Sequence, residues 1–247
     1  MATPVITPPE PTQQISDFAR IPGVLFSPGA TFTDIARKAS WLLPIALVTV
    51  LSLCVTYFLN QKMDWASFQR TQMEKRSGFQ NLSPEDKDRQ VAIAAKFAPA
   101  IAWVAGAIIP ALAAVVIAFI YMVSFNVMSG AQIRFGTSMG IVSYAFVPSL
   151  VSSILTVVVL ALKRYGDVDP TRMLATGVAA FLPADAPSWQ VSLGGSLEIF
   201  WIWTMILMAI GYNKANPKKI SSGTAFGIVF GLWAVFVLIK VGISAAF

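Results

Sequence analysis

Apolar and polar positions along this chain do not alternate with period two. They fall into five long apolar runs, free of charge except for Glu198 and Lys240, separated by charged segments: about 41–59, 99–125, 138–162, 197–212 and 224–247. A bilayer core about 30 Å thick needs about 20 apolar residues at 1.5 Å each, and most of these runs reach that length. Contiguous apolar residues exclude a membrane barrel, whose strands alternate. An open sheet is excluded because lipid offers no partner for an unpaired strand edge. The pattern predicts an all-α polytopic membrane protein, a bundle of about five transmembrane helices with additional interfacial and loop helices.

Aromatic and proline positions refine these spans. Trp41 and Tyr57 mark the two ends of the first, and Pro44 lies in its first turn, where a missing N–H costs little. Pro110 falls near the middle of the second run, where a kink is expected, and Pro148 lies within the third.

Between the runs the chain changes character. Residues 1–19 hold Pro4, Pro8, Pro9 and Pro11 in a polar context, which predicts a disordered tail rather than a secretory signal. Residues 20–40 read as a segment at headgroup level, with Ser27 as cap, Pro28 in the first helical turn, and Phe26, Phe32 and Ile35 as apolar contacts. Residues 60–98 form the largest polar segment. Ser83-Pro84-Glu85-Asp86 is a helix start: a cap, a proline at the first position, then acids at the positive dipole end. The apolar stretch Met173–Leu182 is too short to span and predicts a re-entrant or surface-lying piece.

Composition narrows the chemistry. Charged residues make up 12% of the chain, about half the share usual in a soluble domain. Histidine is absent and Cys54 is the only cysteine. A Ser-His-Asp triad, an HExxH zinc helix and an internal disulfide are thereby excluded. Cys54 reads as a small packing residue. No phosphate-binding GxxxxGK[ST] sequence occurs. No catalytic, cofactor-binding or metal-binding residues are assigned, no cofactor is expected, and the net charge of +6 is read as loops resting on anionic headgroups rather than as a nucleic-acid surface.

Three constellations remain. Gly223, Gly227 and Gly231 follow an i, i+4, i+8 spacing, and Gly136 and Gly140 form a second pair. Such spacing lets helix backbones approach closely. The favoured reading is packing within the bundle, and the alternative is an interface with another protein or a second copy. Glu198 and Lys240 are read as the ionisable residues inside or at the edge of the spans. Counted from the turn between the last two runs, they lie about 21 and 24 Å deep, so they form a candidate intramembrane ion pair. The competing reading is that both snorkel to the far interface. Arg37, Lys38, Lys214, Lys218 and Lys219 are the expected headgroup contacts.

Orientation is balanced. Five spans put the termini on opposite faces, and the N-terminal face collects seven Lys/Arg against ten on the other. The acid-free turn with Lys214, Lys218 and Lys219 favours an N-terminus inside.

The order of several short motifs resembles the Yip-domain membrane proteins, most closely their bacterial branch. These are Leu25-Phe26-Ser27-Pro28 with Phe32 and Ile35, then Trp41-Leu42-Leu43-Pro44, then Phe135-Gly136 and Tyr144-Ala145-Phe146-Val147-Pro148. Ile199-Phe200-Trp201-Ile202-Trp203, Leu207, Gly211, a basic turn and Ala225 complete the series. The resemblance covers most of residues 20–245 and makes 20–247 one five-span Yip-like domain. It implies a cytoplasmic N-terminus in a bacterial cytoplasmic (inner) membrane and carries no catalytic residue onto this chain. The expectation is a non-enzymatic scaffold that organises membrane or lipid. Its partners would be the bilayer and other membrane proteins or itself, not nucleic acid. The alternative is a transporter or permease component with Glu198 and Lys240 near the substrate path.

Overall fold

The computed structural model describes residues 14–168, 174, 176–183 and 186–246. The expected tail lies mostly outside the described residues, as do Asp169–Met173 and Ala175 in the second polar loop. Among the described residues the elements are helical: α1 (Asp17–Phe26), α2 (Pro28–Arg37), α3 (Leu42–Lys62), α4 (Trp65–Glu74), α5 (Ser77–Gln80), α6 (Pro84–Ser129), α7 (Phe135–Ala145), α8 (Val147–Leu162), α9 (Ser188–Ser196), α10 (Ile199–Ala215) and α11 (Ser222–Ala246), with a 3-10 turn at Val178–Phe181.

Three helices are long and apolar enough on their own to cross a membrane: α3, α6 and α11. The run Phe135–Leu162, which comprises α7 and α8, is a fourth such segment. The fifth expected span, α10, is apolar but has 17 residues. At 1.5 Å per residue that is about 26 Å, short of the full hydrocarbon thickness.

The second span is not a separate element. It is the C-terminal part of α6, which runs unbroken for 46 residues through Pro99 and Pro110. Ser83 starts it as expected: its hydroxyl accepts from Asp86 N at 3.2 Å. A helix of that length is about 69 Å long, more than twice the bilayer core, so its charged first turns project well beyond the membrane. Gly130, left-handed at φ 60°, ends it. The third span is interrupted: Phe146 separates α7 from α8, because Pro148 offers no N–H to the preceding turn.

Residues 20–40 depart furthest from expectation. They form two helices, and the first starts at Asp17, capped by Ser16 Oγ from Ala19 N at 3.3 Å. That start lies inside the expected tail. Ser27 sits between the helices without making a side-chain cap. The second helix also packs into the end of the bundle. Phe32 and Ile35 are fully buried, and α2 packs between α7 and α10. Gly211 makes this possible: a Cβ there would lie 2.5 Å from Ile141 Cγ2 and 3.0 Å from the Phe32 ring.

Three hydrogen bonds fix which loops share an end. Asn216 Nδ2 donates to Ala131 O at 2.9 Å, so the α6–α7 link and the α10–α11 turn meet at the end that holds α1 and α2. Gly166 N donates to Lys62 O at 2.8 Å and Lys62 Nζ to Lys163 O at 2.9 Å, which ties the two polar loops together at the opposite end.

Candidate functional site

The most concentrated polar chemistry lies where α1, α2, the start of α3 and α7 meet. Arg20 is 1% exposed and is the largest of the fully buried side chains. Its Nε donates to Asp34 Oδ2 at 2.9 Å, and Nη2 lies 2.7 Å from the same oxygen. Nη1 donates to Asp17 Oδ1 at 2.8 Å and Ser40 Oγ at 2.7 Å, and Nη2 donates to Lys38 O at 3.1 Å. The guanidinium also lies over the Tyr144 ring, 5.9 Å from its centroid. Burial alone would push the Arg20 pKa down. The Asp34 hydrogen bond and, after it, Tyr144 more than offset this, so the net shift is up and the group stays charged. With its donors engaged, Arg20 clamps α1 onto α2 and closes the chain over Ser40 just before α3. The chemistry available is structural, not catalytic.

A second buried polar group sits deeper. Ser138 Oγ donates to Ala118 O at 2.6 Å and is hydrogen-bonded to the Tyr212 hydroxyl. Tyr212 stacks on Phe125 with centroids 4.2 Å apart, and Tyr121 OH donates to Val229 O at 3.1 Å. These bonds link α6, α7, α10 and α11. Lipid tails are as apolar as the side chains, so such bonds and close packing must supply much of the helix association.

The expected ion pair does not form: no Glu198–Lys240 contact lies within salt-bridge distance. Glu198 caps α10, its Oε2 accepting from Trp201 N at 2.8 Å. Lys240 reaches the last turns of α9, donating to Ser192 O and Ser196 Oγ, each at 3.3 Å. Orphan carbonyls and the negative dipole end attract a cation there. The depth estimate placed both residues near one end of the bundle but could not foresee that α9 supplies nearer partners.

The glycines divide. Gly140 packs as a small residue should, with a Cβ there meeting Ile35 Cγ2 and Ser40 O at 3.2 Å. Gly136, Gly227 and Gly231 meet nothing within 4 Å, and Gly223 only its own neighbour Ser221. These four make no close contact within the bundle: Gly223, Gly227 and Gly231 lie on an exposed row of α11, and Gly136 sits in the open first turn of α7. Besides Gly140, close contacts fall at Gly23 against Thr31, Gly106 against Thr56, Gly194 against Ala179, and at Gly211.

Beside α11 a hollow of about 260 Å³ opens between three helices. Ile117 and Tyr121 of α6, Trp201 and Met205 of α10, and Trp233 and Phe236 of α11 line it. The expected headgroup lysines and arginine gather at the α1–α2 end. Lys38 caps α2 and donates to Gln14, and Arg37 ends the same helix. Lys214 closes α10, its Cε 3.5 Å from where a Gly29 Cβ would stand, and Lys218 and Lys219 occupy the following turn.

Which group of membrane proteins this bundle belongs to is decided by a family comparison. The Yip1 domain model matches residues 23–243. The chain belongs to the Yip1-domain family. A relative within reach of this Yip1-domain protein is the membrane protein YknW of Bacillus subtilis, 29% identical over 218 residues and covering 87% of each chain. No solved structure matches. The Yip1 match begins three residues after Arg20. Sequence reading missed Arg20 for a related reason: the motifs that carry the resemblance start at Leu25. The signal that could have found it is Asp17 three residues before Arg20, preceded by the capping residue Ser16.

Proposed function

We propose that this Yip1-domain protein is a non-enzymatic scaffold of a bacterial inner membrane, with its N-terminus cytoplasmic, that organises lipid and binds other membrane proteins or itself. The observation that carries the reading is the outward row Gly223, Gly227 and Gly231. It exposes backbone along two turns of α11, with no side chain of the chain over Gly227 or Gly231. In lipid, helices associate through just such close backbone approach. The lysine-rich turn that begins this helix supports the orientation. A transporter reading has less support, because Glu198 and Lys240 each hold a helix end and the hollow between α6, α10 and α11 is apolar.

The test compares wild type with a Gly227→Leu/Gly231→Leu variant. Both are purified gently from native membranes, with mass spectrometry of co-purifying proteins and a measurement of self-association. The variant folds, since the added side chains meet open space, and loses a partner or its own second copy. If both retain the same companions, or neither has any, the scaffold reading fails.

A further inference from the structure

We infer that the hollow between α6, α10 and α11 is a binding site for an anionic phospholipid, with an acyl chain against the three helices and the phosphate on Lys240. This rests on the lipid-organising half of the proposed function and not on the glycine row. The row lies on roughly the opposite side of α11, by the rotation of 3.6 residues per turn.

Three observations converge. The hollow is apolar and opens to the side of the bundle, and its lining on α10, from Trp201 to Met208, covers about 10 Å along the axis. Trp201 stands in it near the start of α10, and Trp233 lies about 10 Å deeper along α11 than Lys240; neither indole N–H donates to an acceptor among the described residues, which leaves Trp201 for the ester region of a lipid. Lys240 continues the same face. Leu232 and Phe236 line the hollow, and Lys240 follows at the same four-residue spacing, one turn nearer the far end.

The charge of Lys240 is the selecting element. It is exposed, and its contacts are two neutral oxygens at 3.3 Å. Among the described residues no carboxylate lies within 4 Å of it. A cation in a span is normally paired or turned to water, and here an anionic headgroup supplies the partner. The acyl chain alone confers no preference, since it leaves one apolar surface for another. Selectivity therefore follows the headgroup, and a single lysine near the surface corresponds to about a fivefold preference.

The experiment uses the full-length protein in bilayers of equal phosphatidylglycerol and phosphatidylcholine with identical chains. Spin-labelled lipids of each headgroup report association at the protein. Wild type prefers phosphatidylglycerol about fivefold at low salt. Lys240→Met removes most of the preference, and Lys240→Arg keeps it and shows that the fold survives. Met205→Trp, which fills the hollow, lowers the number of bound lipids of either headgroup. The proposal is overturned if wild type shows no preference or if Lys240→Met retains it. It is equally overturned if the preference follows Lys214, Lys218 and Lys219 instead. Gly227→Leu leaves these readings unchanged, so failure of the glycine-row reading is told apart from failure of this one.

Discussion

The two ends of the bundle each hold an Arg–Asp pair, and the pairs behave differently. At the α1–α2 end, Arg20 is 1% exposed and its partner Asp34 15%. At the other end, Arg70 of α4 meets Asp88 of α6, with side chains 45% and 68% exposed. The chemistry is the same and the surroundings differ. Water screens the second pair, and holding two long side chains together uses up most of what attraction remains. Around Arg20 protein atoms replace water, so every donor must find an acceptor, and each one described does. One end is closed by a buried network, the other by helices that rest on each other in solvent.

Breaking Arg20 should have the largest effect. Arg20→Met leaves the part-buried Asp34 without its cation and should cost about 3 kcal/mol, read from thermal unfolding in detergent. Arg20→Met/Asp34→Leu removes both charges and should recover much of the loss. If the double variant is as unstable as the single, the network is not what holds the hairpin. Gly211→Leu attacks the same end through packing. Its side chain would collide with Ile141 and Phe32, for a cost of about 1–3 kcal/mol. Gly227→Leu, on the open side of α11, should leave the melting temperature unchanged. Smaller again, Tyr212→Phe removes one buried hydroxyl while Ser138 keeps Ala118 O, and should cost about 1 kcal/mol.

Legibility in the sequence divides along the same line. Hydropathy located the apolar runs, because a bilayer imposes a length that any window reveals. The Ser83 start was legible because capping is local, with all its residues within four positions. The continuity of α6 was not, since a change from polar to apolar composition marks the membrane surface and not a helix end. The insertion of α2 was not legible, because ten-residue helices with mixed faces look alike whether they rest on a surface or insert beneath Gly211. Arg20 needed four segments brought together over 124 positions, from Arg20 to Tyr144, which no local pattern shows. Lys240 was noticed for its charge, but its acceptors on α9 lie 44 and 48 residues away. The outward glycines and the inward ones share one spacing, so only the fold separates them.

At the solvent-exposed end the predicted effects are the smallest, and they test whether exposure rather than residue type sets the difference. Arg70→Ala should leave the melting temperature unchanged within error. Asp64 offers a finer probe. Its carboxylate caps α4, accepting from Ala66 N at 3.0 Å and Ser67 N at 3.1 Å. The Ser67 backbone bond above all, helped by the Ser67 hydroxyl, holds its pKa below the ordinary aspartate value. A depressed carboxylate contributes stability above its unfolded pKa and loses it as pH falls through the folded one. The contribution should therefore be full near neutrality and fade only in the acid range below the ordinary aspartate value. Asp64→Asn, which keeps an accepting oxygen without a titrating proton, should flatten that acid dependence locally, read as hydrogen-exchange protection of Ala66 and Ser67. Asp64→Asn should leave the protection around Arg20 unchanged, because α4 and the α1–α2 hairpin lie at opposite ends of the bundle. If Asp64→Asn also changes the protection around Arg20, the far end is coupled to the buried network and the two ends are not energetically separate.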